Sequence, residues 1–339
     1  MISTRELARL AGVSQSTISR CLNDHPSISF ETKERIRKLA LQYGYVESAK
    51  GKKTLFSGKR RTIGILITGR PFFDDLFIHY TLNLLMMHAA EKNYYTIPLP
   101  LSTHEEGGLE KLRDLIRLNI VDSFIILHRQ FDQQLHQYLQ DIGIPHIYLL
   151  HCSRASYQAV DMVDSDNCAG GFTGTQYLID HGHRNIITVT CPWREFEDRT
   201  NGYRQALEAN NIPVLQDNIL TVDGSYQSAY DAVNHNLDRI RSATAIYVQS
   251  DILTRGVVSA LQDAGLQIPN DISIIGSDGY DLGNIARPAL SSVAHPITEL
   301  VELAISRLLE IAEKKHMPRQ IILRPYIIER GSVQLLENN

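Results

Sequence analysis

The chain has 339 residues, with 34 Lys or Arg against 38 Asp or Glu and a net charge of −4, enough for a small module plus one or two lobes of ordinary size. It opens on no apolar run of signal-peptide length, and no stretch reaches the ~18 apolar residues of a membrane span, which argues against export and membrane insertion and for the cytoplasm. Cys21, Cys152, Cys168 and Cys191 form no C-x-x-C pair and no ligand-spaced cluster with His, so neither a metal site nor a disulfide framework is expected.

The near-neutral total hides an asymmetry. Residues 1–61 hold thirteen Lys or Arg and five Asp or Glu, which leaves 21 against 33 in residues 62–339. A basic amino-terminal module on an acidic body is what attraction to a phosphate backbone requires.

Ser3 and Glu6 form a capping box that predicts a first helix burying Leu7, Leu10 and Ala11 and ending at Gly12. Ser14 caps a second helix whose buried face is Val13, Ile18 and Leu22, leaving Gln15, Ser16, Thr17, Ser19 and Arg20 largely outward. Two short helices joined by a tight turn place the second in the DNA major groove. A third helix is predicted from Ser29 to Tyr43, with Ile36, Leu39, Ala40 and Tyr43 on one face and Gly44 as its stop. Gln suits adenine, Arg suits guanine and Ser is permissive, so Gln15, Ser16 and Arg20 are the base readers. Thr17, Ser19, Asn23 and His25 are assigned to phosphate, and Thr4 and Ser14 complete the contacting set.

Residues 46–61 are basic and poor in large apolar side chains, separating residues 1–47 from a core over 62–339, with a hinge or linker over 48–61. Strands are then predicted at Thr62–Ile67, Tyr95–Leu99, Ser123–Leu127, His146–Leu150, Ile186–Thr190, Asn218–Val222, Ala245–Gln249 and Ile272–Gly276. A helix near 75–92 carries Leu76, Tyr80, Leu84 and Met87, and helical stretches lie between most strands. Such alternation implies an α/β core of two doubly wound lobes with parallel sheets covered on both faces.

The chain resembles the lac and gal repressor family of transcriptional regulators along nearly its whole length. The likeness rests on Ala11-Gly12-Val13-Ser14 with Thr17, Ser19 and Arg20, then Asp166-Asn167 with Gly170-Gly171, Gly182-His183-Arg184-Asn185-Ile186, and Arg199 with Gly202-Tyr203. It continues through Ser250-Asp251, Gly265-Leu266 and Pro269, Asp271-Ile272-Ser273, Gly276-Ser277-Asp278, Pro288 to Val293, and Arg330-Gly331-Ser332. The resemblance implies a three-helix DNA-binding domain and a periplasmic-binding-protein-like core that closes on a small ligand. One lobe would comprise about 62–164 with 294–324, the other about 165–292 with 325–339. It further implies a homodimeric repressor on an approximate palindrome of double-stranded DNA.

On that pattern the cleft lies at strand carboxyl ends. Phe72 and Phe73 follow the first strand and either stack on a sugar ring or pack in the core. Arg129 follows the Ser123–Leu127 strand and Arg199 occupies the family's ligand-contacting arginine position, both offering planar donor forks. Asp278 accepts from adjacent hydroxyls, and His295 lies beside the lobe crossover as a donor or a structural residue. Ser250 stands where relatives carry Asn, a shorter reach, while Asp251 caps a helix from Leu253. His183 reads as a packing residue. Trp193 and Phe196 lie in a loop that either stacks over the mouth or forms an exposed lid. The ligand is a sugar first, a sugar acid or phosphate second, a purine third.

The linker departs from the family's Tyr-x-Pro-Asn-x-x-Ala-x-x-Leu. Gly51 costs ~1 kcal/mol of helix propensity, and Leu55 serves as a minor-groove wedge only after about a one-residue shift. Phosphate attraction then leans on Lys52 and Lys53 among other linker residues. The carboxyl end, Val333 to Asn339, is too short for a tetramerising heptad helix. No catalytic residue or cofactor is expected, because no G-x-S-x-G elbow, P-loop or G-x-G-x-x-G follows a strand. The rival readings are a sugar-binding receptor, which calls for an export signal, and a nucleotide-using enzyme with a helical appendage, which calls for a phosphate loop.

Overall fold

In the computed structural model the residues described are 4–22, 25, 27–42, 61–68, 76–100, 108–118, 120–128, 133–150, 160–279, 287–313 and 318–336. They belong to two units, residues 1–61 and 62–339.

The first unit contains α1 (Thr4–Ala11), α2 (Gln15–Leu22) and α3 (Phe30–Gln42). Leu7, Ala8, Ala11, Ile18, Cys21, Ile36 and Ala40 form its core, with Val13, Ile28 and Leu39 packed against it. Gly12 adopts φ 67° between α1 and α2, a backbone that glycine enters without a Cβ penalty. Leu10 is a correction: it is 41 % exposed and Ala8 takes the expected inward place. On so short a helix, the i, i+4 pair Leu7 and Ala11 with Ala8 already covers the side facing α2 and α3. Arg35 of α3 donates to the Ala11 carbonyl at 3.2 Å, satisfying one of the orphan acceptors at the end of α1.

The second unit has two six-stranded sheets. The strands of the first are β1 (Thr62–Thr68), β2 (Tyr95–Pro100), β3 (Ser123–His128), β4 (His146–Leu149), β5 (Met162–Ser165) and β11 (Gln320–Leu323), in spatial order β11-β5-β4-β3-β1-β2. Those of the second are β6 (Ile186–Thr190), β7 (Ile219–Thr221), β8 (Ala245–Val248), β9 (Ser273–Asp278), β10 (Ser291–Ala294) and β12 (Tyr326–Ile328), in order β12-β10-β9-β8-β6-β7. Among the described residues all pairings are parallel except β10 with β12, which is antiparallel and corrects the all-parallel expectation. β5, β10, β11 and β12 are strands that hydropathy did not announce.

Each sheet is buried on both faces, as parallel sheets require. The first packs α4 (Leu76–Glu91) and α12 (Ile297–Ala312) on one face, and α5 (Gly108–Arg117) and α6 (Gln133–Asp141) on the other. The second packs α9 (Tyr226–His235), α10 (Leu237–Ser242) and α11 (Asp251–Asp263) on one face, and α7 (Asn167–Asp180) and α8 (Arg194–Ala209) on the other. α4 is turned from its expected orientation: Thr81, Leu82, Leu85 and Ala89 face inward beside Leu84, whereas Tyr80 and Met87 are exposed.

The chain crosses between lobes three times: from β5 into α7, from β10 into α12, and from β11 into β12. The Asp166 amide donates to Leu323 O at 2.8 Å, tying the first crossing to the third. Ser165 Oγ lies 2.6 Å from His295 Nδ1, tying the first to the second.

Candidate functional site

In the first unit, α2 presents Gln15, Ser16, Ser19 and Arg20 on its exposed side, with Thr17 half-buried. Ser14 Oγ accepts from the Thr17 amide at 3.1 Å and lies 2.8 Å from Thr17 Oγ1 and 2.7 Å from Ser16 Oγ. Ser14 and Thr17 are therefore engaged in capping α2, which leaves Gln15 and Arg20 as its long exposed side chains. His25 Nδ1 is held by Ser27 Oγ at 2.8 Å. Thr4 opens α1 and is half-buried. Asn23, Lys52, Lys53 and Leu55 lie outside the described residues.

In the second unit three predicted ligand residues, distant in sequence, meet where the lobes join. Arg199 is on α8, Asp278 ends β9 and His295 follows β10; all three are almost fully buried. Arg199 Nε donates to Asn167 Oδ1 at 2.8 Å and Nη1 to the Gln249 carbonyl, while Nη1 stands 3.5 Å from Asp278 Oδ1. Arg199 Nη2 lies 3.1 Å from His295 Nε2. A guanidinium has no acceptor, so Nε2 accepts, and Nδ1 of the neutral imidazole donates to Ser165 Oγ. Burial, and next the Arg199 charge, hold His295 well below the ordinary histidine value.

Asp278 Oδ2 accepts the Asp251 amide at 3.0 Å. Its backbone sits at φ 83°, a region that residues with a Cβ rarely occupy and that clusters at functional sites. Asp164 lies near the same arginine; burial pushes its carboxyl well above the usual range although the Ser165 amide donates to it at 2.7 Å. A cavity of about 440 Å³ adjoins this network, walled by Met162, Asp164 and Ile322 from one lobe and by Asn167, Asp198 and Asn201 from the other.

Two expectations change. Ser250, not Asp251, caps α11: its side chain accepts from the Leu253 amide, while Asp251 is the first helical residue. The Ser250 oxygen thus accepts from its own helix, and its hydroxyl proton is not used in that cap. Trp193 and Phe196 are not in a loop, since α8 begins at Arg194 with Trp193 as its N-cap. Phe196 joins the core, with Trp193 edge-on at 5.5 Å and the Arg199 guanidinium 5.1 Å above its ring. His183 is fully buried, Nε2 lying 3.2 Å from Gln334 O, consistent with packing. Phe72, Phe73 and Arg129 lie outside the described residues.

Ser165 and Gln249 were not singled out by the sequence, and Asn167 only as a member of the Asp166-Asn167 motif, yet all three orient the arginine and histidine. Gln249 is held by Thr190 at 2.8 Å and by Thr188 and Thr200 at 3.0 and 3.1 Å. The glycine motifs explain the placement of α8. A Cβ on Gly171 would collide with the Arg199 carbonyl oxygen, and one on Gly202 with that of Cys168, so α7 and α8 cross backbone to backbone.

Residues 3–48 match the model of bacterial regulatory proteins of the lacI family, and residues 175–333 match the periplasmic binding protein-like domain. The chain is 29 % identical to the HTH-type transcriptional repressor PurR of Vibrio campbellii, over 99 % of this chain and all of that protein. Its fold is similar to that of the transcriptional regulator CelR in complex with cellobiose, at TM-score 0.72 and 25 % identity, covering 98 % of this chain and 100 % of the other. It is also similar to a LacI family regulator from Enterococcus faecium with bound ribose, at TM-score 0.70 and 26 % identity, covering 81 % of this chain and 100 % of the other.

Proposed function

The chain belongs to the lac and gal repressor family and is a DNA-binding transcriptional regulator under ligand control, and from that premise we propose that it is a homodimeric repressor in the cytoplasm that binds an uncharged sugar between its lobes and catalyses no reaction. The observation that carries the ligand reading is the meeting of Arg199, Asp278 and His295 at the lobe junction. A donor fork beside a carboxylate matches the donor and acceptor faces of neighbouring hydroxyls. Among the described residues the Arg199 guanidinium is already opposed by Asp278, and Arg194 and Arg204, which line the adjoining cavity, share it with Asp198 and Glu208. An anionic ligand would meet no net positive charge there, which ranks a neutral sugar above a sugar acid or phosphate. The solved relatives with cellobiose and ribose support the same class. Trp193, the only tryptophan, packs edge-on against Phe196, over whose ring the Arg199 guanidinium lies, so its fluorescence should report binding. Neutral sugars should change its fluorescence, Asp278→Asn should abolish the change, and a response to sugar phosphates alone would reject the ranking.

Gln15 and Arg20 are proposed as base readers from the exposed side of α2. Arg20→Ala should weaken operator binding by about 1–3 kcal/mol, roughly 5- to 150-fold, with little change on unrelated duplex. Equal loss on both duplexes would make Arg20 a phosphate contact.

The dimer is supported by the exposed apolar side of α4, where Tyr80, Met86 and Met87 are 43, 45 and 60 % exposed. Contiguous exposed apolar side chains mark association surfaces. Tyr80→Asp with Met87→Asp should convert a sedimenting dimer to monomer, and an unchanged dimer would move the interface elsewhere.

A further inference from the structure

Away from the lobe junction, three donor atoms converge at the amino end of β4. His136 projects from α6 and its Nδ1 lies 3.3 Å from His146 Nε2 and 3.3 Å from Tyr148 Oη. Both separations lie just beyond the 2.7–3.2 Å of ordinary hydrogen bonds. They fit the edges of a coordination polyhedron. With metal–nitrogen bonds of about 2.0–2.1 Å and tetrahedral angles, two imidazole nitrogens sharing an ion stand ~3.3 Å apart and their ring centres ~5.2 Å apart. The ring centres here are 5.3 Å apart.

The surroundings are also those of a ligand set. His146 Nδ1 lies 2.9 Å from the Ile144 carbonyl, so it carries the proton and Nε2 carries the lone pair. A backbone carbonyl behind an imidazole fixes metal-binding histidines in this way. Tyr148 is fully buried in β4, its hydroxyl directed at His136. Asp161, paired with Arg307 at 2.8 Å, contributes negative charge near His146.

We propose that His136, His146 and Tyr148 bind one divalent ion of the zinc and copper class, the Tyr148 phenol losing its proton to solvent as its oxygen coordinates, with solvent completing the coordination. Imidazole nitrogen selects these ions over magnesium and calcium. No group of three His, Cys, Asp or Glu gathers as a metal site among the described residues; the phenol supplies the third donor here. The site is at the opposite end of the strands from Asp278 and Arg199. Through Phe124 and Gly64, the partners in register, it lies two strands from β1, where the chain enters the core from residue 61.

The test is calorimetric titration of Zn²⁺ and Mg²⁺ into chelator-treated full-length protein, with Cu²⁺ electron paramagnetic resonance on the same sample. One Zn²⁺ per chain, no heat from Mg²⁺, and a Cu²⁺ signal coupled to two imidazole nitrogens are expected. Half-exposed His136 allows His136→Ala to fold; that variant should lose one coupling and at least about tenfold in Zn²⁺ affinity, and Tyr148→Phe should weaken Zn²⁺ without removing either coupling. No Zn²⁺ binding by the wild type, or affinity unchanged in His136→Ala, would overturn the proposal; so would a Cu²⁺ signal lacking two-nitrogen coupling, which requires no variant to fold.

Discussion

Arg199→Met is expected to abolish the ligand response and to cost the core about 3–5 kcal/mol, the usual penalty for removing one member of a buried charge pair. The loss has two origins. Asp278 keeps a buried carboxylate without the guanidinium 3.5 Å away, and Asn167, His295 and the Gln249 carbonyl each lose a donor. Arg199→Lys restores the charge but not the fork, so it should recover part of the stability and little of the binding. Denaturant unfolding of the core measures the first effect, and Trp193 fluorescence against sugar concentration measures the second. Operator affinity without ligand should change by less than about threefold, because the reading helix belongs to a separate unit. Full ligand response in Arg199→Met would show that the cleft has been placed around the wrong residues.

Gly171→Ala is expected to destabilise the core by about 3 kcal/mol, the upper end for overpacking, because the obstacle is a backbone oxygen that cannot rotate aside. The same substitution at Gly202 should act alike, since its Cβ meets the Cys168 carbonyl and the Phe172 amide. Both would spread α7 from α8 and draw Arg199 away from Asn167, so sugar affinity should fall along with stability. Gly331→Ala is the control: its Cβ would find only Pro288 and Ala289 at 3.8 and 3.9 Å, ordinary contact distances, and its cost should stay within about 0.5 kcal/mol. Equal melting of all three variants would remove the close helix crossing from the account of the site.

How much of this was legible in the sequence follows from the signals each element carries. Helices α1 to α3 have caps, a glycine turn and periodic apolar faces, and the long apolar strands of both sheets announce themselves. The crossover strands do not. β5 reads Met-Val-Asp-Ser and β10 reads Ser-Ser-Val-Ala, short runs whose polar members are buried through hydrogen bonds such as that which Ser291 Oγ accepts from the Arg330 amide at 2.9 Å. α4 is apolar almost all round, so spacing alone does not choose which side faces inward. Ser250 and Asp251 are both good cap residues, and only the backbone decides between them.

At the site, the motifs led to Arg199 and Asp278 but supplied no reason for Gly170-Gly171 or Gly202. That reason is the approach of two helices, a relation that appears only when both are packed. The start of α8 was within reach: Glu195 and Glu197 fall in its first turn, where the helix dipole favours acid, and they outweigh the loop signal of Pro192. Asn167, Ser165 and Gln249 act by orienting other side chains, a role with no sequence signature. The phenol of Tyr148 likewise gains meaning only beside His136 and His146.

The central claim, a DNA-binding regulator switched by a neutral sugar, is tested most directly by selecting duplexes bound by the full-length protein from a random pool and then titrating the enriched sequence with a panel of sugars. The account predicts an approximate palindrome whose affinity is shifted by at least one neutral sugar, with the shift absent in Arg199→Met. A palindrome whose affinity responds to no neutral sugar, or folded protein that enriches no sequence, would contradict it.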